Sequence, residues 1–72
     1  MPLKMIGMGE RARVVAVKGE DGVRKHLGSL GVIPGAVVTV VQVVAGSMIL
    51  GISDSRIAVN DDLARRLVVE PA

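Results

Sequence analysis

The chain has 72 residues, half of them apolar, and contains no Phe, Tyr, Trp or Cys. A folded chain of this mass buries roughly 60% of the surface that the unfolded chain exposes and leaves about 4,200 Å² accessible, which allows one small core. The lack of cysteine excludes disulfides and thiolate metal sites. We therefore expect a single domain, residues 1–72, with a core of aliphatic side chains and methionine.

The charge distribution argues against a nucleic-acid ligand. The net charge is +2, with six Lys/Arg against three Asp/Glu in residues 1–36 and three against four in residues 37–72. This excess is too small for a basic binding face, and single-stranded binding also needs aromatic stacking platforms. No apolar run reaches the ~18 residues of a membrane span, and the N-terminus lacks signal-peptide features. We expect a cytoplasmic protein without membrane insertion.

Glycine and valine spacing predicts the first elements. Met1–Glu10 is an apolar arm punctuated by glycines, with Gly9 preceding the first strand, Ala12–Lys18. The valines of this strand cannot all face one side, so we expect a bulge or burial on both faces. A short helix follows over Val23–Leu30, where apolar residues recur on one face.

Turn and cap residues bound the helix. Asp21 or Gly22 is suited to begin it, because both residue types favour the N-terminal cap. Gly31 is suited to end it, since glycine adopts the left-handed backbone conformation without steric cost. Pro34 and Gly35 then occupy the second and third positions of a tight turn.

The second half of the chain predicts four further strands. Val37–Val44 contains six valines in eight residues and is followed by strands at Met48–Ser53 and Arg56–Val59, with a turn at residues 54–55. Asn60 caps a single helical turn, and the closing strand is Leu67–Glu70. Five short strands, with a helix after the first and a helical turn before the last, predict a mainly β, SH3-like barrel. Closure of this barrel would remove exposed sheet edges.

Two segments of the sequence resemble the FeoA family. They are the L-x-x-L-G-V-x-P-G segment, Leu27–Gly35, and the downstream segment Arg56–Val59 with sequence R-I-A-V. The resemblance implies an SH3-like barrel with an added helix and a role in bacterial or archaeal ferrous iron uptake. It also implies a partner: FeoB, a membrane permease with a cytosolic GTP-hydrolysing domain. The same module occurs at the C-terminus of iron- and manganese-dependent repressors.

The chain offers few groups for metal or catalytic chemistry. His26 is the only imidazole, and the carboxylates considered as its partners are those of Glu20, Asp21 and Asp54. An iron facial triad needs two histidines, so we expect no metal site and no cofactor, although the resemblance places the chain in a transition-metal system. One histidine without cysteine does not provide a nucleophile–base pair unless a serine lies beside it. We expect a protein that is not an enzyme.

The chain is therefore expected to act through its surface. The predicted contact surface combines the arm with the helix, and its residues are flexible apolar or cationic: Met5, Met8, Arg24, Lys25, His26 and Arg56. Each has a simpler alternative. Met5 and Met48 would fill the core, His26 would face solvent, and Arg56 would pair with Asp54 or a carbonyl at the barrel mouth.

The leading hypothesis is a non-catalytic interaction or regulatory module that docks on an FeoB-type permease. One alternative is a stand-alone relative of the repressor module that binds a Pro-rich linker, although SH3 domains hold such ligands in aromatic-lined grooves that this chain lacks. A small nucleic-acid-binding barrel is another alternative. A homo-oligomer formed by strand addition at an unpaired sheet edge is a further one.

Overall fold

Five antiparallel strands form a single sheet in the order β4-β3-β2-β1-β5 in the computed structural model, which describes residues 1–72. The strands are β1 (Arg11–Val17), β2 (Val37–Val44), β3 (Ser47–Ile52), β4 (Ser55–Asn60) and β5 (Leu67–Pro71). The helices are α1 (Asp21–Ser29), α2 (Asp61–Arg65) and a 3-10 turn (Leu3–Met5) in the arm. The predicted mainly β class, with a helix after the first strand and a helical turn before the last, is confirmed. Neither α1 nor α2 has the length and apolar character needed to cross a bilayer.

The core is entirely apolar. It comprises 15 buried residues, none of them polar or charged. The largest fully buried side chains include Leu3, Leu27, Leu50 and Leu67, which come from the arm, α1, β3 and β5. The folded chain exposes 4346 Å², close to the value of about 4,200 Å² that its mass predicts. Aliphatic side chains and one methionine, Met48, therefore fill this core.

Two bulges bend the sheet. In the β1–β5 pair, Val14 lies opposite Val69 and Ala16 opposite Val68, which leaves Val15 unpaired. Val15 is 48% exposed whereas Val14 is buried, which confirms that the three valines of β1 do not share one face. A second bulge leaves Val41 of β2 unpaired against β3. Extra residues of this kind increase local twist and curvature, which bends the five strands around one core.

The sheet does not close by hydrogen bonds between its outer strands, contrary to the expected closure. β4 and β5 are the two edges, and α2 joins them. The arm covers the outer edge of β5: Met1 and Val69 exchange two backbone hydrogen bonds of 2.7 Å, and Pro2 bridges to Val68. The predicted arm is therefore an edge cover. One edge is paired in this way while β4 remains an edge strand.

Helix α1 begins two residues earlier than predicted. Glu20 is its N-cap and makes no side-chain cap bond, while Asp21 lies in the first turn. An acidic residue there interacts favourably with the positive end of the helix dipole, which explains the longer helix. The helix ends at Ser29 instead of Leu30. Gly31, with φ +95°, follows the C-cap, and this left-handed conformation allows the chain to turn back toward β2.

The strand boundaries move by at most one residue. The β3–β4 turn lies at Ser53 and Asp54, one residue earlier than predicted, because Ile52 pairs with Ser55. Pro71 does not end β5 but pairs with Ala12 of β1. Proline is tolerated in an edge strand, where it does not need to donate to a neighbour.

Candidate protein-interaction surfaces

The cationic residues of α1 lie on its solvent face. Arg24, Lys25 and His26 are all exposed, whereas Leu27 is fully buried beneath them. The Arg24 guanidinium is engaged within the helix by the Asp21 carboxylate. Lys25 forms no ion pair, so its charge is the more available of the two on this face. The solvent-facing position predicted as the alternative for His26 is confirmed.

The structure does not bring together side chains for metal binding or for nucleophilic catalysis. No group of three His, Cys, Asp or Glu side chains is positioned to hold a metal ion. The only hydrogen bond that links His26 to a serine joins the Ser29 hydroxyl to the His26 backbone carbonyl, at 2.6 Å. This bond leaves the imidazole uninvolved and so does not form a serine–histidine pair.

A hollow of about 300 Å³ lies between the arm and the tip of the β2–β3 hairpin. Its lining includes Ile6 of the arm and Met48 of β3, both nearly fully buried. One rim carries an ion pair between Lys4 and Asp61, whose nitrogen and oxygen are 3.3 Å apart. The hollow is thus apolar at its base and charged at one edge. We call it the arm hollow.

Large apolar side chains are exposed in the arm and in the hairpin that together border the arm hollow. Val43 and Val44 line it and are 52% and 46% exposed. Met5 lies between two lining residues in the chain and is 68% exposed, and Met8 is 63% exposed. Core filling is therefore correct for Met48 and wrong for Met5. Flexible thioether side chains outside the core suit an adaptable contact surface.

The structure separates the two halves of the predicted contact surface. Met48, at the start of β3, lines the arm hollow with Lys4 and Ile6. At the other end of β3, Ile52 lies beside the end of α1, since a Cβ atom on Gly31 would be 3.2 Å from its Cγ2 atom. Four residues of strand span about 13 Å. The arm and α1 therefore lie near opposite ends of β3, and the arm packs against α2 and β5.

Arg56 belongs to a third region. It is exposed at the start of β4 and lines a polar hollow of about 620 Å³, together with Arg11 and residues of the β3–β4 turn. The predicted pairing of Arg56 with Asp54 is not formed, because neither residue takes part in an ion pair. The sequence did not predict Arg11 or the exposed valines of the hairpin as parts of a surface site. Only the strand register shows where these residues lie.

The predicted turn and cap residues position these surfaces. The N–H of Gly9, whose φ is +83°, donates to the Val40 carbonyl at 2.7 Å and sets the arm against β2. Gly35, with φ +93°, follows Pro34 in the turn before β2. Asn60 caps α2, its side-chain oxygen accepting from the N–H of Leu63 at 2.9 Å.

The model of the FeoA domain family matches residues 1–71. The chain belongs to the FeoA family. This places it in a family of small domains linked to ferrous iron transport. A search of curated proteins gave no significant match.

Solved structures agree with the assignment. An iron uptake regulatory protein, FeoA, is 32% identical, with coverage of 100% of this chain and 96% of that protein and a TM-score of 0.89. The zinc-bound FeoA of Stenotrophomonas maltophilia, an SH3 domain protein, is 26% identical over 97% of this chain and 89% of its own, with a TM-score of 0.81. The predicted SH3-like fold is confirmed.

The metal-dependent transcriptional regulator MtsR shares the fold alone. It is 16% identical to this chain, with a TM-score of 0.87, and the match covers 100% of this chain and 34% of the regulator. The FeoA fold therefore also occurs as part of a larger protein.

Proposed function

We propose that this FeoA domain is a non-catalytic cytoplasmic module of ferrous iron uptake that docks on the cytosolic domain of an FeoB-type permease. The observation that carries the proposal is the exposed apolar surface around the arm hollow. Four large apolar side chains are each about half exposed or more: Met5, Met8, Val43 and Val44. A chain this small has few large side chains with which to build its core. Exposed apolar patches mark contact sites in proteins.

The arm hollow supplies the apolar part of the docking surface. Exposed methionines adjust to a partner because three rotatable bonds let the thioether fill irregular gaps. The Lys4–Asp61 ion pair at the rim gives the surface a polar border. An apolar centre with a polar border is the usual anatomy of a protein interface.

Helix α1 supplies a separate, electrostatic contact at the other end of the domain. Lys25 and His26 are exposed, and Arg24 forms an ion pair with Asp21. Charges at the rim of an interface mainly steer association and fix orientation. We therefore assign affinity to the arm surface and orientation to α1.

The proposal is tested by co-expression of the tagged chain with the cytosolic domain of the FeoB-type permease from the same genome. We expect the wild-type chain to retain the permease domain. The double variant Met5→Ser/Met8→Ser should lose most of it, and Arg24→Glu/Lys25→Glu should weaken retention at physiological salt. Val15→Ser, which removes an exposed apolar side chain outside both the arm and α1, is the matched control and should bind as the wild type does.

Two results would contradict the proposal. The first is a wild-type chain that fails to retain the permease domain. The second is retention that none of the arm and α1 variants reduces, since binding would then use neither surface.

A further inference from the structure

Four residues from four neighbouring strands form one row across the outer face of the sheet. The paired positions are Arg11 with Thr39, Thr39 with Gly51, and Gly51 with Arg56. Directly paired residues project to the same face of an antiparallel sheet. Leu50, which precedes Gly51 in β3, is fully buried and so faces the core. The row is therefore on the outer surface, with an arginine at each end.

The middle of the row borders a polar hollow at Gly51, which has no side chain. A Cβ atom at this position would lie 3.3 Å from Cγ2 of Val41 and 3.9 Å from Cβ of Thr39. Gly51 does not have a positive φ, so its backbone conformation does not require glycine. The polar hollow of about 620 Å³ is also bordered by the hydroxyl-bearing residues Ser53 and Ser55. We call this feature the arginine groove.

The two arginines of the groove have no intramolecular acidic partner. The chain has nine Lys and Arg residues, and four of these form ion pairs: Lys4, Arg13, Arg24 and Arg65. Arg11 and Arg56 are not among them and make no side-chain hydrogen bond. Asp54 lines the same groove without pairing with either. Both guanidinium groups remain available for an external anion.

We propose that the arginine groove binds an extended acidic segment of a partner protein, with one carboxylate at each arginine. Three strand spacings of about 4.8 Å separate Arg11 from Arg56 along the row, or about 14 Å, and four residues of an extended segment span about 13 Å. Two acidic side chains four residues apart therefore match the row. Guanidinium groups bind carboxylates in bidentate fashion. The inference rests on the proposed function only in assigning this segment to the docking partner.

Charge favours an acidic peptide over a phosphate-rich ligand. Asp54 lowers the net charge of the groove from +2 to +1, which disfavours a polyanion more than a segment with two separated carboxylates. Aromatic residues that could stack on nucleobases are absent from the chain. The groove is also spread along a row and does not concentrate its cations at one point, as a phosphate clamp requires.

The test is an amide chemical-shift titration of the isotope-labelled chain with the peptide acetyl-SESTSES-amide, whose two glutamates are four residues apart. We expect saturable shifts at the amides of the groove, including Thr39, Gly51 and Arg56. The variant Arg11→Gln/Arg56→Gln should weaken binding at least tenfold. Gly51→Val, which adds a side chain to the hollow and displaces Val41, should weaken it as well. Lys18→Gln, which removes an exposed unpaired charge elsewhere, should change it less than twofold, and the same spectra verify folding.

Several outcomes would overturn the inference. The first is a control peptide, with glutamine in place of both glutamates, that binds as tightly as the glutamate peptide. The second is a Lys18→Gln variant that weakens binding as much as Arg11→Gln/Arg56→Gln does. The third is inorganic phosphate that produces the same shifts at the same concentrations. Because the titration contains no permease, its result is independent of the docking proposal. Peptide binding without permease binding would contradict the docking proposal alone, and the reverse result would contradict the arginine groove alone.

Discussion

The N–H of Val32 donates to the carbonyl of Leu27 at 3.0 Å, and both side chains are buried to within 1% at the end of α1. A second bond, from the N–H of Gly31 to the carbonyl of Gly28, completes a Schellman motif. The motif ties the end of the helix to the core through an apolar contact between its first and last residues. The direction in which the chain leaves α1 therefore depends on the positive φ of Gly31.

Gly31→Ala should lower the free energy of unfolding by about 1–2 kcal/mol, since an L residue is disfavoured in the left-handed conformation. Its Cβ would also press on Ile52, with a separation of 3.2 Å. Urea unfolding followed by circular dichroism measures the change, because the chain has no aromatic fluorophore. The control Gly28→Ala lies within the helix, where the added Cβ makes an ordinary contact of 3.8 Å with Ile33. It should raise stability by about 0.5–1 kcal/mol. Equal effects of the two substitutions would contradict the assigned cap.

Asn60→Ala should cost about 1 kcal/mol, because it leaves the N–H of Leu63 without its side-chain acceptor. Asn60→Ser replaces the amide oxygen with a hydroxyl oxygen, which is also a cap acceptor, and should keep most of the stability. The difference between the two variants, measured by the same denaturation method, isolates the cap from the effect of changing an exposed side chain. Two equally unstable variants would show that the cap bond contributes nothing.

Ser53→Gly should stabilise the domain. Ser53 is the only residue other than glycine with a positive φ, +52°, in the two-residue turn between β3 and β4. Relief of this conformation is worth about 1 kcal/mol, partly offset by the greater entropy of glycine in the unfolded chain. A rise in thermal midpoint of a few degrees is expected, and a fall would indicate that the Ser53 side chain stabilises the turn.

Leu50→Ala should be the most damaging of these substitutions. Leu50 is fully buried in the centre of β3, and truncation of such a side chain costs about 2–5 kcal/mol. A chain of this length has a total stability of about 4–11 kcal/mol. The variant should therefore unfold at much lower urea concentration. Leu30→Ala, at a position 38% exposed, should change the midpoint little, and a comparable loss there would contradict the assigned core.

Local chemistry makes much of the fold predictable from sequence. Valine density marks the strands, and Gly31 and Asn60 mark helix ends. The conflict among the valines of β1 predicts either a bulge or burial on both faces, and the structure shows a bulge at Val15. A strand is longer than predicted where pairing with a neighbouring strand includes a residue that its own β-propensity would exclude. Pro71 is included in β5 because the edge position does not require its missing N–H.

The candidate surfaces were harder to predict because they depend on long-range register. Arg11 and Arg56 are 45 positions apart in the chain, and only the pairing of β1 through β4 places them on one row. Similarly, the sequence led us to expect the arm beside α1, whereas Lys4 and Ile6 line a hollow with Met48 at the other end of β3. Composition indicated a binding surface, but topology determined where that surface lies.

The most direct test of the central claim is a chemical-shift footprint of the unlabelled cytosolic domain of the FeoB-type permease on the isotope-labelled chain. The proposed function predicts saturable perturbation or broadening at the exposed residues of the arm, the β2–β3 hairpin and α1, with the outer face around Val15 unaffected. A spectrum that does not change at a twofold excess of the permease domain would contradict docking. Perturbation confined to the outer face around Val15 would contradict the assigned surfaces.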